Sequence, residues 1–238
     1  MKNQVVVYYH SFAPCRPAQH HEQGRRLLRQ ALWEEYQIEL TEEMITRTAN
    51  GKPCFKELPI FFNISHCSGM AVCALSDVPV GVDVESGRRV TDSLIRKVLS
   101  PWERTYVKEQ DSMERFLELW TLKESWLKMT GDGLRVPLDT VSFRFREPEA
   151  EKELPETSDR AKGFTEITDE MAGAGTQDRI ERKRTPDQIS CSRPGYFGQW
   201  KLDGSHILAL CTREQCSFAF KGEISEGSRT RISQIIDG

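Results

Sequence analysis

The sequence predicts a fold that contains both α-helices and β-strands. Short apolar runs typical of strands, such as 5–9 and 206–211, occur in both the first and the last third of the chain, and the segments 19–36 and 112–130 have the apolar spacing of helices. The runs 70–75 and 206–211 are similar to each other, which hints at an internal duplication. Strands and helices are therefore expected along most of the chain.

The N-terminal third is predicted to hold a strand, a helix and three more strands. The first strand is 5–9, and a helix over 19–36 follows with an apolar stripe of Leu27, Leu28, Leu32 and Tyr36. A turn at 50–53 separates this helix from three strand-like runs bounded by turn residues, at 60–65, 70–75 and 80–84.

The middle of the chain is predicted to be helical. Ser100, Pro101 and Glu103 form an N-cap, a first-turn proline and a capping-box glutamate, and a long helix over 112–130 ends at Gly131. Its predicted apolar stripe is Met113, Phe116, Trp120 and Leu127.

A half-buried strand is predicted over 141–146. Residues 147–193 are rich in charged residues, Pro, Gly and Thr, which predicts a mobile insertion. Strands at 198–202 and 206–211 then complete the core, and the tail 221–238 is predicted to be weakly ordered.

Charge and cysteine content exclude several classes of protein. The formal net charge is only -3 with both signs intermixed, so no global field attracts nucleic acid or an anionic membrane. Seven cysteines occur without a Cys-x-x-Cys pair or zinc-site spacing, and no apolar run is long enough for a signal peptide or a membrane span. We expect a soluble cytoplasmic protein with reduced thiols.

Asp83 and Glu85 are the first candidate site residues. In the run Gly81-Val-Asp-Val-Glu85, strand periodicity places Val82 and Val84 on one face and both carboxylates on the other. The two lie roughly 6.6 Å apart along the strand, so their side chains can converge on one ion, and Mg²⁺ is commonly held by one or two carboxylates with substrate phosphates. A solvated strand face explains the same pattern.

Glu124 is the third candidate carboxylate. It interrupts the predicted apolar stripe of the long helix, and burying an unpaired charge is costly. Lys128 lies one helical turn further on, so an ordinary i, i+4 ion pair is the competing explanation.

His66 follows Ser65 at the end of the predicted strand that starts at residue 60. It shares strand parity with Phe62 and Ile64, and a core histidine is the simpler interpretation. Cys67 next to it does not form a Cys/His nucleophile pair, because neighbours on a strand point to opposite faces.

The order and spacing of these stretches resemble the Sfp-type 4'-phosphopantetheinyl transferases. The hallmarks of that family are a Ser-His strand, a Gly-(Val/Ile)-Asp-(Val/Ile)-Glu strand and a Trp-x-x-Lys-Glu-(Ser/Ala)-x-x-Lys helix. All three occur here, at 65–66, 81–85 and 120–128, and the resemblance covers roughly residues 20–146.

The resemblance implies transfer of the 4'-phosphopantetheine arm of coenzyme A to a serine of an acyl or peptidyl carrier protein, with release of 3',5'-ADP. It implies Mg²⁺ at Asp83, Glu85 and Glu124, with Glu124 or Lys128 as the base. Coenzyme A would contact Arg25, Lys52, Ser65, His66 and Lys128. The segment before Gly24 is short of the lysines that the family often uses at the 3'-phosphate, and Arg16 is the only cation between Lys2 and Arg25 apart from histidines.

The resemblance also implies an α+β fold of two similar halves, 1–79 and 80–238, related by a pseudo-twofold axis, and a monomer. Two alternatives remain open at this stage. One is a metal-dependent hydrolase of nucleotide pyrophosphates that uses the same carboxylates, and the other is a carrier-binding module without catalysis.

Overall fold

The computed structural model describes residues 3–13, 17–87, 90–109, 111–146 and 180–222. These residues form a mixed α+β fold, as the sequence predicts, and the structure shows that it is built around two four-stranded sheets. No helix in the described ranges is both long and apolar enough to cross a membrane.

The first sheet has the strand order β12-β1-β5-β4. Its strands are β1 (Gln4–Ser11), β4 (Phe61–Cys67), β5 (Met70–Ser76) and β12 (Ser217–Lys221). β12 pairs with β1 in parallel, whereas the other neighbours are antiparallel. The sheet therefore combines the first and the last described strands of the chain.

Helix α1 (Pro17–Tyr36) covers one face of the first sheet. Its predicted stripe is confirmed, because Leu27, Leu28 and Leu32 are buried and Tyr36 packs against the same cluster. A small hairpin of β2 (Ile45–Arg47) and β3 (Pro53–Phe55) follows and contributes Phe55 to that cluster.

The second sheet has the order β6-β11-β10-β8, with all neighbours antiparallel. Its strands are β6 (Val80–Glu85), β8 (Ile180–Arg184), β10 (Tyr196–Leu202) and β11 (His206–Thr212). The outer face is covered by the helices α2 (Asp92–Val98), α3 (Pro101–Glu109) and α4 (Ser112–Thr130). A separate two-stranded sheet pairs β7 (Phe143–Phe145) with β9 (Ile189–Cys191).

The inner faces of the two sheets pack against each other. Along β1, Val5, Val7 and Tyr9 join a core with Val82 and Val84, whereas Val6 and Tyr8 face α1. The strand alternation thus places one layer of side chains between the sheets and another under each set of helices.

The edges of the two sheets meet where β4 runs beside β6. The side chain of Asn63 accepts a hydrogen bond from the Val82 amide at 2.8 Å, and Ser65 Oγ accepts one from the Val84 amide at 3.2 Å. β6 is an edge strand, so these amides would otherwise be buried without partners. Side chains of one sheet therefore complete the hydrogen bonding of the other.

The long helix α4 buries a different stripe from the predicted one. Phe116 and Leu127 are buried as expected, but Met113 is 45% exposed and Trp120 is only partly buried. The prediction for Met113 was wrong because it is Glu114, next to it, that meets the sheet in this turn, through Lys183 of β8 and Lys201 of β10. The buried stripe includes Lys123 instead.

Lys123 forms a fully buried ion pair with Glu103 of α3. Its Nζ lies 2.7 Å from Glu103 Oε2 and also donates to the carbonyls of Leu138 and Val141. The predicted capping box is confirmed, since the Ser100 amide donates to Glu103 Oε2 at 2.7 Å. Burial lowers the pKa of Lys123, an effect that the charge of Glu103 opposes.

The predicted halves and their boundary at Pro79 stay a prediction, as does the pseudo-twofold axis. β12 lies beyond that boundary and nevertheless belongs to the first sheet. Within the predicted insertion 147–193, residues 180–193 include β8 and β9, and 147–179 lie outside the described residues. Most of the predicted weakly ordered tail, 223–238, also lies outside them.

Gly81 permits the close approach of α4 to β6, and Gly81→Ala is expected to separate them. A Cβ at this position would lie 2.0 Å from the Ser125 carbonyl oxygen and 2.4 Å from the Met129 amide nitrogen, both backbone atoms. We expect the free energy of unfolding to fall by about 1–3 kcal/mol or more, measured by urea denaturation.

Gly24→Ala is the matched control for that experiment. Its Cβ would lie 2.4 Å from Ile64 Cγ2, a side-chain atom rather than backbone, and alanine is favoured over glycine in a helix interior by up to about 1 kcal/mol, so a smaller loss than for Gly81→Ala is expected. Equal stability of Gly81→Ala and the wild type would contradict the close packing of α4 on β6.

Candidate active site

The candidate site lies where β4, β6 and α4 meet. Lys128 Nζ of α4 lies 2.6 Å from Asp83 Oδ1 of β6 and donates to Ser65 Oγ of β4 at 2.9 Å. Ser65 Oγ in turn donates to Asp83 Oδ1 at 2.9 Å. The structure therefore brings together three residues that the sequence predicts for the site, one from each element.

Asp83 is the buried centre of this arrangement. Its side chain is 6% exposed, whereas that of Lys128 is 28% exposed, so the lysine connects the buried carboxylate with solvent. Asp83 Oδ2 is buried and has no hydrogen-bond partner among the described residues. A bare buried carboxylate oxygen is costly, and a bound cation is one way to satisfy it.

The other two predicted metal ligands lie close to Asp83 along their elements. Glu85 is two residues further along β6 on the same strand face, and Glu124 is one helical turn before Lys128 on α4. Both are half-buried. No group of three or more His, Cys, Asp or Glu side chains in the described part of the chain is already arranged to hold a metal.

The donor set nevertheless fits a hard divalent cation. The orphaned oxygen of Asp83 supplies one carboxylate ligand, and Mg²⁺ typically takes one or two carboxylates and completes its shell with water and substrate phosphates. A fully assembled protein cage is therefore not required. The assignment of Asp83, Glu85 and Glu124 as metal ligands stays a prediction.

His66 borders the site at the end of β4. Its Nε2 lies 3.2 Å from Nδ1 of His21, and the two rings meet edge to face with centroids 4.6 Å apart. His20 also lies near, with its ring centroid 5.7 Å from that of His66. The pKa of His66 is lowered, first by burial and then by positive charge on His21, Lys128 and His20.

Lys52 and Arg25 contact groups outside the Ser65–Asp83–Lys128 cluster. Lys52 Nζ donates to the carbonyls of Val80 at 3.2 Å and Met129 at 3.0 Å, so it fastens the β2–β3 hairpin to β6 and α4. Burial is the main cause that lowers its pKa to about 8. Arg25 pairs with the exposed carboxylate of Glu42. Their predicted contacts with coenzyme A stay predictions.

Cys67 is unsuited to nucleophilic catalysis, as the sequence already indicates. Its Sγ lies 3.8 Å from Ser86 Oγ, and burial is the main cause that raises its pKa to about 12. A thiol with so high a pKa stays protonated at neutral pH and is a poor nucleophile.

Two features of the site were missed by sequence reasoning. Asn63 is a positioning residue, since its side chain anchors β6 through the Val82 amide. His20 and His21 join His66, and the only sequence signal for them is a His-His pair near the start of α1.

Comparison with known proteins identifies the family. The sequence model of the 4'-phosphopantetheinyl transferase superfamily matches residues 79–174, which include β6 and α4. The Bacillus subtilis protein 4'-phosphopantetheinyl transferase Sfp is 31% identical over 154 residues, covering 60% of this chain and 69% of that protein. The chain belongs to the 4'-phosphopantetheinyl transferase superfamily.

Further relatives of this phosphopantetheinyl transferase come from other bacteria and from vertebrates. The Aneurinibacillus migulanus protein gsp is 33% identical over 120 residues, covering 49% of this chain and 50% of that protein. The Xenopus laevis L-aminoadipate-semialdehyde dehydrogenase-phosphopantetheinyl transferase is 32% identical over 138 residues, covering 50% of this chain and 46% of that protein. The predicted family and enzyme class are therefore confirmed.

Proposed function

We propose that this enzyme transfers the 4'-phosphopantetheine arm of coenzyme A to a serine of an acyl or peptidyl carrier protein and releases 3',5'-ADP. The observation that carries the proposal is the Ser65–Asp83–Lys128 cluster with its orphaned carboxylate oxygen, in a chain of this superfamily. The cluster places the Lys128 ammonium, which can bind a phosphate, next to the Asp83 carboxylate, which can bind a metal.

The reaction is a displacement at phosphorus. The carrier serine oxygen forms a bond to the β-phosphorus of coenzyme A, the bond from that phosphorus to the bridging oxygen of 3',5'-ADP breaks, and the serine proton passes to a base. Positioning and charge stabilisation supply most of the catalysis in such transfers. The protein must therefore neutralise the pyrophosphate and hold the serine in line with the leaving group.

Lys128 and His66 are proposed to bind the coenzyme phosphates. Lys128 is partly exposed at the mouth of the cluster, so its ammonium can turn from Asp83 towards a phosphate oxygen. His66 borders the same region. A divalent cation at Asp83, Glu85 and Glu124 would offset the charge that develops on the leaving phosphate.

Glu124 is proposed as the base that takes the serine proton. Lys128, the other candidate from the sequence, already donates to Asp83 and Ser65 and is used as a cation. Glu124 lies one turn away and is half-buried, so its carboxylate can reach the same space.

Incubation of the purified chain with coenzyme A, Mg²⁺ and an apo carrier protein tests the proposal. We expect the carrier to gain the mass of one phosphopantetheine group. A chelator should suppress the gain, because removing the divalent cation leaves Lys128 and His66 to offset the phosphate charge. Adding Mg²⁺ back should restore it.

The same incubation separates the alternatives. Cleavage of coenzyme A without modification of the carrier would favour the hydrolase, and binding of the carrier without either product would favour the inactive module. A monomeric state and a cytoplasmic location are also part of the proposal, and light scattering and cell fractionation would check them.

A further inference from the structure

The Ser65 hydroxyl lies at the centre of the candidate site, and the proposed mechanism gives it no task. Ser65 is 4% exposed and belongs to β4, at the point where that strand meets β6 and α4. Its Oγ donates to Asp83 Oδ1 at 2.9 Å, and it accepts from Lys128 Nζ at 2.9 Å and from the Val84 amide at 3.2 Å. This single oxygen therefore joins three elements of the fold.

These three contacts use the whole hydrogen-bonding capacity of the hydroxyl. A serine hydroxyl has one hydrogen to donate and two lone pairs that accept. The Lys128 ammonium and the Val84 amide can only donate, so both lone pairs are occupied and the hydrogen points to Asp83. Phosphate oxygens are acceptors. Ser65 could therefore donate to a coenzyme phosphate only by giving up its bond to Asp83.

Strand geometry also separates Ser65 from its neighbour His66. Successive side chains of a strand point to opposite faces. His66 points towards α1, where it contacts His21, whereas Ser65 points towards β6. Asn63, two residues earlier on the Ser65 face, accepts from the Val82 amide at 2.8 Å. This face of β4 is therefore directed at the strand that carries the carboxylates.

The hydrogen bonds described for the Asp83 carboxylate lie on one of its two oxygens. Oδ1 accepts from Ser65 at 2.9 Å and from Lys128 at 2.6 Å, whereas Oδ2 has no hydrogen-bond partner among the described residues. The outer side-chain torsion of an aspartate is broad and roughly two-fold, so an unrestrained carboxylate can exchange its oxygens. Ser65 also binds the amide of Val84, which follows Asp83, and so fixes the carboxylate relative to its own strand.

We infer that Ser65 is a positioning residue that holds Oδ1 of Asp83, so that Oδ2 stays available to a divalent cation, and that it does not bind coenzyme A. This inference rests on the proposed function, because it takes Asp83 as a metal ligand during phosphopantetheinyl transfer. Ser65, which the family resemblance assigns to coenzyme A, instead serves this carboxylate. Loss of a group that orients a metal ligand typically costs about 10–100-fold in metal affinity or activity.

The contribution of Ser65 increases when the coenzyme is bound. Lys128 is partly exposed and is proposed to turn towards a phosphate oxygen, which removes one of the two partners of Asp83 Oδ1. Ser65 is buried and tied to the Val84 amide, so its own bond to Asp83 can persist. Loss of the hydroxyl is therefore expected to slow turnover and weaken metal binding, while coenzyme binding stays the same.

Three measurements on Ser65→Ala in the full chain distinguish a positioning residue from a phosphate ligand. The kcat for carrier modification should fall about 10–100-fold, and so should the affinity of the protein–coenzyme A complex for Mn²⁺, measured by electron paramagnetic resonance. Calorimetry with coenzyme A in EDTA should give the wild-type affinity. His66→Gln should show the opposite pattern, with weaker coenzyme A binding in EDTA and wild-type Mn²⁺ affinity.

Ser76→Ala is the matched structural control. Ser76 is a 1% exposed serine of β5 whose Oγ accepts from the Val78 amide at 3.2 Å, so its loss also removes an acceptor from a buried amide. It should keep kcat and the Mn²⁺ affinity even if its melting temperature falls. Ser65→Thr, which keeps a hydroxyl, should recover most of the lost kcat. Ser65→Cys, a weak donor and acceptor, replaces Ser65→Ala if that variant does not fold.

Wild-type Mn²⁺ affinity in folded Ser65→Ala would overturn the inference, as would a loss of coenzyme A affinity in EDTA as large as the loss of kcat. Either result leaves the proposed function intact, provided that the wild-type protein modifies the carrier. If the wild-type protein modifies no carrier in the presence of coenzyme A and Mg²⁺, the proposed function itself fails.

Discussion

Asp83→Ala is expected to reduce the rate of carrier modification by about 10²–10³-fold, the range found when one key electrostatic group is removed from an active site. Asp83 contacts both Ser65 and Lys128, and its Oδ2, which has no partner among the described residues, suits a metal. The rate is measured from the mass of the carrier over time at saturating coenzyme A and millimolar Mg²⁺.

The fold should survive this substitution. Oδ2 of Asp83 is buried without a partner among the described residues, so removing the carboxylate also removes an unsatisfied group. Lys128 is partly exposed and can be solvated when its partner is lost. We therefore expect the melting temperature to change little. Active-site groups often serve function at a cost in stability, so replacing them need not destabilise the fold.

Asp187→Ala is the matched control, since Asp187 is exposed on a turn between β8 and β9. It should leave both the rate and the melting temperature unchanged. Wild-type transfer by Asp83→Ala would show that the metal site has been placed wrongly, and a collapse of its melting temperature would show that the carboxylate is structural.

Lys123→Ala is expected to lower the free energy of unfolding by about 3–5 kcal/mol, the cost of leaving one charge of a buried pair without its partner. Both side chains of the Lys123–Glu103 pair have 0% exposure. A loss of this size is a large fraction of the stability of an ordinary domain. Urea unfolding followed by far-UV circular dichroism would measure it.

A double variant separates the ion pair from simple packing. Glu103→Gln/Lys123→Met removes both charges and keeps similar side-chain volumes, so it should recover much of the loss. Recovery should be partial, because Glu103 also accepts from the amides of Ser100 and Phe143. Lys108→Ala, on an exposed position of α3, serves as control. A cost below about 1 kcal/mol for Lys123→Ala would contradict this account.

The strand that carries Asp83 could be predicted because its pattern is local. Alternation along 80–85 places Val82 and Val84 in one layer and Asp83 in another, and the structure has Val82 and Val84 between the sheets and Asp83 facing α4. The capping box at Ser100 and Glu103 was equally local. Such features follow from a few neighbouring residues and the geometry of one element.

Lys123 shows why other features could not be predicted. It adjoins Glu124 in the sequence, yet the Lys123 side chain is fully buried against α3 whereas Glu124 is only half-buried. Helical spacing predicts that the side chains of Lys123 and Glu124 point in different directions. It does not predict which residue of another element each of them contacts. The partner Glu103 is twenty positions away, on another helix.

The contact of β4 with β6 was hidden for the same reason. Asn63 and Ser65 follow an ordinary strand pattern, and nothing local shows that they satisfy amides of another sheet. The contact of His21 with His66 likewise requires α1 and β4 to be adjacent. The sequence can predict which chemical groups are present, whereas long-range pairing decides which of them meet.

The parallel pairing of β12 with β1 has a consequence for biosynthesis. Gln4 pairs with Ser217, so the ribosome releases β1 long before it makes the strand that covers that edge. At about 5–20 residues per second, the edge stays open on the order of 10 s or longer. An open edge made of Val5, Val6 and Val7 can recruit strands from other chains. The nascent chain is therefore more open to edge-to-edge pairing with other chains than the folded enzyme is.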